Sequence, residues 1–188
     1  MVNKPIWLSM RHFVTFEYLQ GIYMGQKPYK ICNTNLITNG LIEPLTECTI
    51  FASSLMRSKQ TVDYICNSFP TIKFDVIYSD CLIERGLGDF EGERKCDIKK
   101  NKDFFVDGKY KVELTPPNGE PFVNFKNRVE SILKMICKKY YTNNILIISD
   151  LQVLRMIKYC MSEEENYSHW HDINYNHGEI VKESYGKK

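Results

Sequence analysis

The sequence predicts an α/β domain built on a largely parallel sheet, and three observations carry that expectation. Short apolar runs rich in branched and aromatic residues recur along the chain and read as strands. Between them lie stretches with apolar residues at three- and four-residue spacings, which read as helices. The clearest run, Ile145-Leu146-Ile147-Ile148-Ser149, is apolar on both faces, as a central parallel strand must be. Strands alternating with helices make parallel pairing the expected topology.

Length and composition set bounds on the rest. A chain of 188 residues is enough for one domain, 1–188, with a sizeable core. A net charge of +2 gives no bulk electrostatic case for binding nucleic acid or a membrane surface. The one dense lysine run, Lys95, Lys99, Lys100 and Lys102, is matched by Glu91, Glu93, Asp97 and Asp103, and reads as a solvated face. Seven cysteines form no Cys-x-x-Cys pair; isolated in apolar stretches, they read as small core residues of a protein in a reducing compartment. Met1-Val2-Asn3-Lys4-Pro5 lacks the apolar core of a signal peptide, and no apolar run approaches membrane-spanning length, so a cytoplasmic protein is expected.

In chain order, Ile6-Trp7-Leu8-Ser9-Met10 is the first strand, ending abruptly in Arg11-His12. That pair sits where open α/β sheets place their ligand sites, just past a strand's carboxyl end. Residues 13–40, with several glycines and asparagines, read as a long surface loop with room for one short helix. Residues 48–53 form a second strand and run into a helix over 54–66, with serines available as caps. Arg57 then lies near a helix N-terminus, where free N–H groups favour an anion and arginine adds a bidentate phosphate donor. Residues 74–78 are a third strand, followed by an irregular, glycine-punctuated segment over 82–92 that carries Glu84. Residues 94–118 are assigned to helix and loop, 120–139 to an amphipathic helix, and 151–161 to another behind Asp150. The tail holds an acidic run at 163–165, a histidine and aromatic cluster, and a possible edge strand near 179–181. His169-Trp170-His171 suggests a metal, but on a strand its two histidines would point to opposite faces, so no metal or other cofactor is expected.

Two arginines, a histidine and a glutamate at the ends of separate strands suit phosphoryl transfer to histidine. The imidazole attacks, the arginines hold the non-bridging oxygens, and the carboxylic acid protonates the leaving oxygen.

Several stretches, in order, resemble the histidine phosphatase superfamily, which includes phosphoglycerate mutases and fructose-2,6-bisphosphatase domains. Leu8-Ser9-Met10-Arg11-His12 resembles its opening Arg-His-Gly signature. Ser53-Ser54-Leu55-Met56-Arg57-Ser58-Lys59-Gln60-Thr61 resembles its Ser-Ser-Pro-x-x-Arg-Ala-x-Gln-Thr segment, the most specific of the matches. Residues 82–92 resemble its Leu-x-Glu-x-x-x-Gly-x-x-Glu-Gly loop, Asn118-Gly119-Glu120 with Arg128 its Gly-Glu-Ser helix, 145–155 its Val-Val-Ser-His-Gly segment, and 176–180 its closing strand. The resemblance implies a three-layer αβα sandwich of phosphoglycerate mutase type. It implies His12 as the phosphorylated nucleophile, Arg11 and Arg57 as phosphoryl ligands, and Glu84 as general acid and then base.

Four positions depart from the pattern. Asp150 stands where the family has a second histidine, Phe13 and Leu151 where it has glycines, and Tyr18 where it has asparagine; all four are expected around one pocket. The segment between Gly40 and Ile50 is also too short for the helix the family carries there. An ionised aspartate about 4 Å from a phosphoryl oxygen repels it by roughly 4 kcal/mol at an effective dielectric of 20. Asp150 can stay protonated; it can turn away while His169, His171 or His177 enters from the tail; or the site binds without turning over. The leading reading is a metal-independent phosphomonoester hydrolase acting on a small phosphorylated substrate or a phosphoprotein. A catalytically impaired relative that binds a phosphorylated ligand or protein partner is the second reading, and a phosphoglycerate mutase ranks below both.

Overall fold

The structure is a computed structural model and describes residues 5–162 and 167–183, so the acidic run at 163–165 lies outside the described residues. A five-stranded sheet forms its centre: β1 (Trp7–Arg11), β2 (Glu47–Ser53), β3 (Lys73–Ser79), β6 (Ile145–Ser149) and β7 (Ile180–Lys182), in the order β3-β2-β6-β1-β7. The first four are mutually parallel, and β7 closes the edge antiparallel to β1. Alternation within β6 explains why its sequence is apolar throughout. Ile145 and Ile147 enter one core with Trp7, Phe51 and the helices α4 (Phe122–Lys139) and α5 (Leu151–Met161). Leu146 and Ile148 enter the other with Leu8, Met10, Ile50 and the helix α2 (Met56–Ser68). The sheet is therefore covered on both faces, giving the expected three-layer αβα sandwich.

The apolar residues picked out by helical spacing in α4 are its buried face: Phe122, Phe125, Val129, Ile132, Leu133 and Ile136. The helix starts at Phe122, after Pro121, because Glu120 is held outside it by Gly86 and Arg128. No serine caps α2: Leu55 stands at its N-cap, Ser53 Oγ accepts from Leu55 N at 3.3 Å, and Ser54 Oγ bonds Asp80. The 13–40 segment contains one short helix, α1 (Phe16–Leu19), with Thr15 as its cap. Residues 94–118 hold a short α3 (Lys95–Ile98) and, unread in the sequence, a small hairpin of β4 (Phe105–Val106) and β5 (Lys109–Tyr110). Its two-residue turn is Asp107-Gly108, both at positive φ. The cysteines correct another expectation. Cys48 is buried and Cys66, Cys81 and Cys160 pack partly buried against the two cores, but Cys32, Cys96 and Cys137 are exposed, so three of the seven are not core residues.

Candidate active site

Parallel strands share one carboxyl edge, and the order β2-β6-β1 sets three chain segments side by side there. β1 runs into His12, whose backbone N–H donates to Ser149 O at the end of β6 (3.1 Å). β6 runs into Asp150 at the head of α5, and β2 leads into the first turn of α2, which carries Arg57. Glu84 arrives from beyond β3, its segment tied to β6 by Ser149 Oγ donating to Leu82 O (2.6 Å). Topology alone thus brings Arg11, His12, Arg57, Glu84 and Asp150 to one place, all buried.

His12 is oriented through its backbone neighbour. Nδ1 lies 2.6 Å from Phe13 O, an acceptor only, so Nδ1 carries a proton and Nε2 faces the site. There it meets Asp150 Oδ1 at 3.0 Å. The same oxygen receives Arg57 Nε at 2.7 Å and Arg57 Nη2 at 2.6 Å. Arg57 is further held by Gly25 O (2.7 Å) and Lys27 O (3.0 Å), so its whole fork is engaged. Asp150 is therefore turned into the site, not away from it. Burial favours its acid form, but the Arg57 and His12 charges outweigh burial and hold the carboxyl well below the usual carboxylate range. In the unliganded protein the aspartate is thus an anion, which removes the expectation of a resident protonated Asp150. Burial holds the His12 imidazole below its usual pKa, against the opposing pull of Asp150. Two acceptors on one ring leave one proton in the Nε2···Oδ1 contact, and Arg57 keeps the negative charge on the oxygen.

The other groups are arranged around this pair. Glu84 Oε1 accepts from Arg85 N at 2.8 Å, and its carbonyl is held by Gln26 and Arg128. Burial, reinforced by the Asp150 charge, pushes its carboxyl up to about 8, so it is a proton donor at neutral pH. Arg11 lies over the Tyr18 ring at 4.9 Å; its Nε is buried with no hydrogen-bond partner among the described residues.

The four departures divide. Asp150 and Tyr18 face the site. The Phe13 ring instead packs in the core against Tyr64, and Leu151 packs, partly buried, against the other core. Phe13 can turn there because Gly178, at φ 78°, leaves room: a Cβ would stand 2.9 Å from the ring and 2.1 Å from Asn35 O. Of the three tail histidines, His177 enters the site. Its Nδ1–H donates to His12 O (2.8 Å), its ring meets His12 edge-on at 5.1 Å, and its Nε2 is buried with no described partner. Burial, then Arg11 and His12, push its pKa down to about 3, so it is neutral. His169 is exposed beside Asp172, and His171 Nε2–H donates to Tyr110 O at 2.8 Å. The signal for His177 was its place before the closing strand: antiparallel to β1, that strand must begin beside Arg11 and His12.

Comparison with known proteins bears on the family and the fold. The chain is 32% identical over 91 residues to the zebrafish (Danio rerio) protein named probable fructose-2,6-bisphosphatase TIGAR A, a match covering 48% of this chain and 35% of that protein. The chain thus matches only about a third of that relative's length. A structure assigned as an alpha-ribazole-5'-P phosphatase from Escherichia coli superposes with a TM-score of 0.71 at 19% identity, covering 98% of this chain and 97% of that one. A phosphoglycerate mutase from Bacillus anthracis superposes at 0.69 with 13% identity, covering 84% and 80%. Both likenesses bear on the fold. The family model for the histidine phosphatase superfamily (branch 1) matches residues 42–187, most of the chain, and the chain belongs to that superfamily.

Proposed function

We propose that this protein is a phosphomonoester hydrolase acting through a phosphohistidine on His12. One observation carries the reading: Phe13 O ties up Nδ1, which leaves Nε2 facing the charges of Arg57 and Arg11. The phosphoryl group of a small phosphoester or a phosphoprotein takes the place of Asp150 Oδ1 on Arg57. The proton on Nε2 passes to Asp150, which becomes a neutral acid and donates to a non-bridging oxygen. Nε2 then attacks phosphorus, the ester P–O bond breaks, and Glu84 gives its proton to the leaving oxygen. In the second half, the Glu84 carboxylate takes a proton from water as its oxygen attacks phosphorus. The N–P bond breaks and phosphate departs. No cofactor enters the cycle. Turnover of phenyl phosphate that is abolished in His12→Ala and inhibited by vanadate supports the reading; equal rates in the native protein and His12→Ala sink it.

A second reading, a catalytically silent protein that binds a phosphorylated ligand or partner, is favoured by one observation: Arg57 is fully engaged by Asp150 and two carbonyls. It predicts binding of phosphate by the native protein with no hydrolysis across a broad ester panel.

A further inference from the structure

Beside the transfer site lies a cavity of about 220 Å³ between α3, the β4–β5 hairpin and the head of α5. Lys95, Lys99, Lys109 and Arg155 line it, and among the described residues no acidic side chain does. Lys109 has Asp172 at 4.0 Å, but both are exposed, and such pairs hold weakly. Lys95 is no solvated lysine: it is half-buried, with its Nζ over the Tyr18 ring (4.6 Å) and the Tyr23 ring (5.8 Å). Tyr18 in turn faces Arg11, so Lys95 stands where the cavity joins the transfer site. Burial, followed by Arg11 and Lys99, pulls its amine down to about 8 against a weaker opposing pull from Glu84. Arg155, anchored by Nε to Ile173 O at 2.8 Å, is held down by burial and Arg11 in the same way.

Aromatic rings share the remaining walls with Leu87, Gly108 and Gln152. Tyr23, Phe90, Phe105 and Tyr110 line the cavity, and Phe105 meets Tyr110 edge-on at 5.3 Å, so that wall is fixed. The volume lies below the roughly 300 Å³ from which drug-sized ligands are held, which fits one substituted ring and excludes a dinucleotide.

We propose that this cavity seats the leaving group of the substrate and selects a single planar aromatic ring bearing a second anionic group. Aromatic walls hold the faces and edges of a ring, while the lysines and Arg155 hold the anion. The inference rests on the hydrolase reading for its chemistry but not for its binding. The test compares phenyl phosphate, para-carboxyphenyl phosphate and phosphoglycolate, an anionic ester without a ring. The native enzyme should prefer para-carboxyphenyl phosphate to each of the others by about tenfold or more in kcat/KM, chiefly through KM. In Lys99→Ala/Lys109→Ala the preference over phenyl phosphate should fall towards one. A native preference at or below one, or a preference the double variant leaves intact, overturns the anionic half; phosphoglycolate equal to the aryl ester overturns the aromatic half. Calorimetry with the matching phosphonates reads the cavity without turnover. Tighter binding of para-carboxyphenylphosphonate than phenylphosphonate supports the cavity even if no ester is hydrolysed, a result that counts against the hydrolase reading alone. Equal binding overturns the cavity even where hydrolysis is intact.

Discussion

One oxygen of Asp150 receives His12 Nε2 and both Arg57 Nε and Nη2, within 3.0 Å in each case. Removing one partner from a buried ion pair costs about 3 kcal/mol or more. Asp150→Asn should therefore lower the unfolding free energy by about 3 kcal/mol in denaturant titration. The same change removes a carboxylate that repels a phosphoryl oxygen by roughly 4 kcal/mol until it takes up the His12 proton. Phosphate should bind the variant at least tenfold more tightly by calorimetry near neutral pH, and kcat/KM should rise there. A variant less active at each pH would show that the carboxyl does more than carry one proton. Glu84 acts on stability with the opposite sign. Asp150, depressed in the fold, contributes stability above its unfolded value that is lost as pH falls through the folded one. Glu84, raised from 4.5 to about 8, contributes fully below 4.5, and that contribution is lost as pH rises towards 8. Glu84→Gln should then be more stable than the native protein above about pH 8, on the order of a few kcal/mol, and no more stable near pH 4. Hydrolysis by the native enzyme should fall along an alkaline limb near pH 8 as the Glu84 proton is lost. Thermal melts and a pH–rate profile check both.

Between residue and sheet, α4 positions the acid. Arg128 on α4 donates to Cys81 O (2.9 Å), Ile83 O (2.8 Å) and Glu84 O (3.1 Å), and pairs through Nε with Glu120 Oε1 at 2.7 Å. One guanidinium thus gathers the carbonyls of the segment that presents Glu84. Arg128→Ala should cost about 2–4 kcal/mol by leaving those acceptors unpaired. It should also lower kcat and move the alkaline limb below about 8, since a looser Glu84 is better solvated. Arg128→Lys restores the charge but not the fork and should recover only part of either effect. A variant that loses stability while its pH profile stays in place would make Arg128 structural only. Gly88 serves the same segment: at φ 54°, a Cβ there would stand 2.1 Å from Pro117 O.

At the scale of the molecule, period and length made the parallel sheet and the helices α2, α4 and α5 legible, because each buries a continuous apolar face. The β4–β5 hairpin was not read, although Asp107-Gly108 is the turn such hairpins use. Two strands of two residues carry too little alternation to compete with the charged residues around them. In the site, the strand-end positions of Arg11, His12, Arg57 and Asp150 were legible from local pattern, and where Asp150 points was not. That depends on Arg57 reaching across from another strand. Phe13 was expected at the pocket, but its direction is set by space that Gly178 leaves, 165 positions further along. His177 needed the direction of the closing strand, which a three-residue run does not reveal. In the proposed reaction, Nε2 of His12 is the atom that takes the phosphoryl group. Dinitrophenyl phosphate, whose leaving group needs no proton, can be mixed with the Glu84→Gln enzyme and quenched in alkali, where phosphohistidine survives. Labelled phosphate should accumulate on His12 at close to one per chain and be absent from Glu84→Gln/His12→Ala; dinitrophenol release with no label on His12 would contradict the account.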